Sequence, residues 1–160
     1  MVRKGGRGVK ITVINGPNLN FLGIREPEIY GSQTLEGLEK QIKEAVGNQE
    51  QLELLFFQSN HEGQLIDWIQ TCYNEKVDGM IINPGALSHY SYSLNDAIKS
   101  VQLPTIEVHL SNIYKREAFR QHSVTAPSCL GVISGLGARG YILAVQALIE
   151  HISTINNKIS

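Results

Sequence analysis

GMIIN, residues 79–83, sets Met80, Ile81 and Ile82 side by side between a glycine and an Asn-Pro-Gly turn. A strand with one face in water alternates apolar and polar side chains, so an unbroken apolar run points to a parallel strand covered on both faces. Four further short apolar runs flank it, at Lys10 to Asn15, Leu52 to Gln58, Thr105 to His109 and Leu130 to Ser134, the last with Gly131, Val132 and Ile133 again consecutive. Helical patterns separate them. Leu35, Leu38, Ile42 and Ala45 mark one helix behind a Thr34 cap, and Leu65, Ile69 and Cys72 a second behind Ser59 or Asn60. Leu94, Ala97, Ile98 and Val101 mark a third, Tyr114 to His122 a short fourth, and Tyr141 to Ile152 a last one with Val145, Leu148 and Ile152 on one stripe. This alternation predicts an α/β chain built on a doubly wound parallel sheet.

The chain has 160 residues, enough for one domain that buries about 70% of the surface of its unfolded form. No repeat, linker or low-complexity segment interrupts it. Residues 1–8 read as a flexible basic tail, 9–153 as a single catalytic domain and 154–160 as a C-terminal tail. Fourteen basic residues balance fifteen acidic ones, which argues against a broad nucleic-acid surface and for a small substrate. No apolar run approaches the ~20 residues that span a bilayer, and MVRKGGRG lacks the hydrophobic region of a signal peptide. Cys72 and Cys129 lie in apolar surroundings without a close-spaced partner, so they read as buried hydrophobes and suggest a reducing, cytoplasmic setting.

In open α/β sheets the ligand sits outside the carboxyl ends of the strands, near the point where strand order reverses. Four of these ends carry polar or glycine clusters: Asn15 to Asn20, Asn83 to His89, Glu107 to Asn112 and Gly135 to Gly140. The first leads into a long loop, NFLGIREPEIYG (residues 20–31), that sets Arg25 and Glu26 within a few residues of Tyr30. Loops of this length are lids or binding loops more often than connectors. A phenol titrates near pH ~10, so its use as a base near neutrality needs a pKa lower by about three, or roughly 4 kcal/mol of preference for the phenolate. Nearby positive charge is the usual source.

His109 ends the fourth apolar run two residues after Glu107, so strand alternation points both side chains to one face and lets the carboxylate orient the imidazole. A structural histidine bonded to a loop carbonyl is the plain alternative; the strand-end position favours the functional one. Arg116 and Arg120, four apart on the expected short helix, share a face and suit an anionic substrate or a phenolate. Asn83 to His89 reads as a turn delivering an amide and an imidazole. The five histidines show no ligand spacing, so no metal is expected. Gly135-Leu-Gly-Ala-Arg-Gly140 matches the dinucleotide fingerprint, but only twenty residues and no further strand follow it, and close strand–helix packing explains the glycines better. Ser134 lacks the preceding glycine of a nucleophile elbow.

The motifs NGPNLNFLGIREPEIYG, SNHEGQLIDWI, INPGALSHYSYSLNDA, IEVHLSNIYKREAFR and GVISGLGARGY together resemble those of the type II 3-dehydroquinate dehydratases of the shikimate and quinate pathways. The resemblance covers Lys10 to Ile152, and agreement over so many separated sites leaves chance negligible. It implies a flavodoxin-like three-layer sandwich with a five-stranded parallel sheet in the order 2-1-3-4-5. It also implies cofactor-free, reversible loss of water from 3-dehydroquinate to 3-dehydroshikimate through an enolate, a step of aromatic amino acid biosynthesis as well as of quinate use.

Carried over by the same resemblance, Tyr30 is the general base beside the ketone, Arg25 the lid residue that lowers its pKa and Arg116 a second cation near the phenolate. Asn18 stabilises the enolate oxygen with an ordered water. His109 is the acid that protonates the departing hydroxyl, with Glu107 as its orienting carboxylate. Asn83 and the backbone of Leu110 and Ser111 match the carboxylate and ring contacts, and His89 and Arg120 the groups that hold the ring hydroxyls. Asp96 reaches a neighbouring subunit's site in an assembly of trimers packed into a homododecamer. The residues leave one competitor from another class, a non-catalytic flavodoxin-like module binding a small carboxylate, which has no need of both a base and an acid.

Overall fold

A computed structural model describes residues 8–24, 26–47 and 51–159. Arg25 and nearly all of the expected basic tail lie outside the described residues, and Tyr30 is described through its backbone alone. Five strands, β1 (Val9–Asn15), β2 (Leu52–Gln58), β3 (Gly79–Asn83), β4 (Thr105–His109) and β5 (Gly131–Ser134), pair in parallel in the order β2-β1-β3-β4-β5. The order reverses between β1 and β3, which makes their carboxyl ends the crevice of the sheet.

Helices α2 (Leu35–Val46) and α5 (Ala138–Ile159) cover one face, and α3 (Glu62–Asn74) and α4 (Tyr92–Val101) the other. The unbroken apolar run of β3 has its expected cause. Ile81 packs with α2 and α5, while Met80 and Ile82 pack with α3 and α4. All three are buried, each contributing about 1.5–3 kcal/mol of transfer free energy. On β4, Ile106 and Val108 join the α2/α5 core, leaving Thr105, Glu107 and His109 on the opposite face by alternation.

The helix starts and ends are where local chemistry and expectation part. Thr34 caps α2 by accepting the Gly37 N–H at 3.1 Å, an arrangement worth about 1 kcal/mol. For α3 neither Ser59 nor Asn60 is the cap: the capping position falls to His61, and Ser59 Oγ accepts the His61 N–H at 2.9 Å one step earlier. Asn60 is occupied elsewhere, at the site. Tyr114 to His122 is not one helix but two 3₁₀ turns, Ile113–Lys115 and Ala118–Gln121, because Arg116 and Glu117 between them are extended. α5 begins at Ala138 and runs past Ile152 through the segment set off as a C-terminal tail, with residues 153–158 exposed. The long loop holds a 3₁₀ turn, Leu19–Phe21, and a single helical turn, α1 (Pro27–Tyr30).

Candidate active site

The carboxyl ends of β1, β3 and β4 open into a cleft of about 630 Å³ including its mouth. Asn18, Asn83, His89, His109, Leu110, Ser111, Arg116 and Arg120, eight of the twelve residues nominated from sequence, line it. Among its lining residues are two arginines and two histidines but no acid and no lysine. Such a wall favours an anionic ligand. No helix among the described residues is long and apolar enough to cross a membrane.

The first wall is the loop after β1. Asn18 takes a left-handed backbone, φ +69°, which asparagine tolerates better than most residues. Its N–H donates to Asn60 Oδ1 at 2.8 Å. Gln58, at the end of β2, donates to the same oxygen at 3.2 Å and to the Gly16 carbonyl at 3.2 Å. Two side chains from the neighbouring strand end thus fix the shelf that presents Asn18. Gly16 permits the approach of the β1 and β3 loops, since a Cβ there would lie 2.6 Å from the Pro84 oxygen.

The second wall is the turn after β3. Asn83 donates through Nδ2 to the Tyr141 phenol oxygen at 2.8 Å and accepts the Gly85 N–H at 3.1 Å, which fixes its amide and leaves one N–H for a ligand. Tyr141 in turn donates to Asn15 Oδ1 at 2.6 Å. Burial pushes the Tyr141 phenol above its ordinary range, so it stays a neutral donor. Beyond the turn, His89 Nδ1 donates to the His122 carbonyl at 2.9 Å, leaving Nε2 as an acceptor suited to a ligand hydroxyl. Burial, aided by the nearby His109 and Arg120, holds His89 below the usual imidazole range although the His122 carbonyl acts the other way.

The floor is the end of β4. His109 Nε2 lies 2.6 Å from Glu107 Oε1; the imidazole is 6% exposed and the carboxylate fully buried. Glu107 therefore sits behind the lining of the cleft, bonded to His109. Its carboxylate also receives the Ser123 hydroxyl at 2.9 Å and the Thr125 hydroxyl at 2.6 Å. Cys129, 3.6 Å from the Thr125 carbonyl, has its thiol pushed up to about 12, first by burial and then by Glu107.

The cations form the remaining side. Arg116 donates to Ser111 Oγ at 3.3 Å and lies 3.8 Å from Glu26, which reaches over from the long loop. Arg120 is braced by Glu117 at 2.7 Å and stacks over Phe119, whose ring meets His89 edge-on. The two arginines reach the cleft from separate turns, not from one helical face.

Asp96 is exposed on α4, and no part of this cleft includes it. The glycine cluster after β5 has structural work: Gly135 and Gly137 donate to the carbonyls of His109 and Leu110, and a Cβ on Gly140 would crowd Ile133 and Val108. Those N–H groups are not presented to a phosphate. Tyr141, Ser123, Thr125 and Asn60 were not nominated from sequence. Only Tyr141 carried a signal, a phenol on an apolar helix stripe that must find a partner when buried.

The sequence profile described as Dehydroquinase class II matches residues 9–149. The chain belongs to the class II dehydroquinase family. Among class II dehydroquinase relatives, the 3-dehydroquinate dehydratase of Caldicellulosiruptor saccharolyticus is 59% identical over 141 residues, covering 88% of this chain and 97% of that protein. The Clostridium perfringens 3-dehydroquinate dehydratase is 58% identical over 146 residues, covering 91% and 99%. The crystal structure of the type II dehydroquinase from Butyrivibrio crossotus superposes with a TM-score of 0.85 at 52% identity, covering 88% of this chain and 97% of that one. The class II dehydroquinase match thus spans every wall of the cleft described above and all of both cores but Ile152.

Proposed function

We propose that this chain is a 3-dehydroquinate dehydratase, a hydro-lyase that removes water from 3-dehydroquinate to give 3-dehydroshikimate through an enolate. The observation that carries this reading is the His109–Glu107 pair on the floor of a cleft with cationic walls. A carboxylated ring ketone fits such a wall, and elimination beside its ketone needs a base on one side and an acid on the other.

In this reading Tyr30, on α1 of the loop that reaches over the cleft, removes the proton beside the ketone, and Arg25 and Arg116 favour its phenolate. Asn18, held at the strand-end shelf, faces the developing enolate oxygen. His109 hands a proton to the departing hydroxyl, while Glu107 compensates the imidazolium. General acid or base assistance supplies typically ~10²- to 10⁴-fold per group, and stabilisation of the oxyanion adds to it. Asn83 and the backbone of Leu110 and Ser111 orient the ring and its carboxylate. His89 Nε2 accepts from a ring hydroxyl, and Arg120 holds another.

The exposed position of Asp96 supports a role across a subunit boundary, in a homododecamer of trimers, and the two free cysteines suit a cytoplasmic setting. The direct test mixes the protein with 3-dehydroquinate and follows the ultraviolet absorbance of the conjugated enone. Enone should accumulate to an equilibrium reached from either side. Substrate binding without enone would instead identify a small-carboxylate binding module.

A further inference from the structure

We propose that Ser123 and Thr125 are positioning residues that fix the proton of the His109–Glu107 pair, an inference that rests on the role given to His109 above. Glu107 is fully buried, and a buried carboxylate is tolerated only when its lone pairs are filled. Three side-chain donors do so. His109 Nε2 and Ser123 Oγ converge on Oε1 at 2.6 and 2.9 Å, and Thr125 Oγ1 takes Oε2 at 2.6 Å.

One direction suits all of these bonds, with the Ser123 and Thr125 hydroxyls, themselves 3.2 Å apart, each turned to the carboxylate. Ser123 Oγ already accepts the Ala126 N–H at 3.0 Å, so its single proton is free to go to the carboxylate. The two hydroxyls fill the remaining lone pairs of the carboxylate and leave His109 Nε2 as the donor to Oε1, so that Nδ1 is the ring nitrogen left for the cleft. They also resist rotation of the carboxylate away from the imidazole.

Both residues belong to the connection between the turn Ala118–Gln121 and β5. That connection is held independently of Glu107, because Val124 N–H donates to the Ser88 carbonyl at 2.7 Å and His122 holds His89. Three residues of this one segment, His122, Ser123 and Thr125, thus act on both cleft histidines, the first directly on His89 and the other two on His109 through Glu107. Among the described residues, the titratable or charged groups that face the pair are His89, Arg116 and Arg120, which line the cleft with His109, and the Cys129 thiol behind Glu107.

The test compares the parent with Thr125→Val, Thr125→Ser and Ser123→Ala, measuring kcat and KM across pH and the ¹⁵N shifts of the His109 ring without substrate. Thr125→Val should lower kcat roughly tenfold to hundredfold, the worth of one hydrogen bond to a charged group, with KM within about twofold. The basic limb of its kcat profile should move up by about one pH unit, because the bare carboxylate makes the pair hold its proton more tightly. Its ring should show mixed tautomers where the parent shows one, and Thr125→Ser should restore both readouts. An unchanged profile and an unchanged tautomer in both Thr125→Val and Ser123→Ala would overturn the proposal, as would a pure KM effect. Should Thr125→Val not fold, Ser123→Ala alone decides the matter by the same measures. A changed tautomer with parental kcat would uphold the positioning and overturn the role of His109 as acid.

Discussion

Asn83 at the end of β3 and Tyr141 near the start of α5, 58 residues apart, meet at 2.8 Å, and the same phenol reaches Asn15 at the end of β1. A helix on the back of the sheet therefore fixes an amide that lines the cleft. The crevice between β1 and β3 is bridged beneath its floor by one hydroxyl.

Removing that hydroxyl should be felt twice. Tyr141→Phe leaves the buried Asn15 oxygen and an Asn83 N–H without their partner, so the protein should lose about 1–3 kcal/mol of stability in a urea titration. KM should rise with the freed amide. Parental stability and KM together would show that the bridge is idle.

Stability should also depend on pH through His89. Its folded-state pKa is lowered, chiefly by burial, so the unfolded chain binds a proton first as pH falls. Its contribution is fully present above the ordinary imidazole value near ~6.5 and is lost as pH drops through the lower folded value. Thermal melts should therefore decline below that point, and His89→Gln should flatten the decline. A variant whose midpoint follows pH as the parent's does would exclude His89 as the source.

Much of this architecture was legible in the chain. Consecutive apolar residues in β3 announced two covered faces, and the two-residue spacing of Glu107 and His109 announced a shared one. Arg116 and Arg120 were legible as cleft residues for the wrong reason. Their four-residue spacing suggested a helix, whereas the extended backbone at Arg116 and Glu117 divides the segment into two turns that still deliver both guanidinium groups. Ser123 and Thr125 were not legible, because no period relates them to Glu107, 16 and 18 residues earlier. Asn60 read as a helix cap because its residue type suits one; a long-range bond to Asn18 claims it instead.

Imine chemistry should play no part. No lysine among the described residues lines the cleft, and Lys115 is exposed outside it. Incubation with 3-dehydroquinate and borohydride should leave the activity and the mass of the protein unchanged. A mass increase equal to a reduced substrate adduct would sink the enolate route proposed here.

The division of labour between Tyr30 and His109 is most directly tested by the rate of enone formation from 3-dehydroquinate in the parent, Tyr30→Phe and His109→Gln. Each variant should keep its fold and lose ~10²- to 10⁴-fold in kcat, the usual worth of a general base or acid. Parental rates in Tyr30→Phe would contradict its role as the base, and with it the account of how this cleft removes a proton.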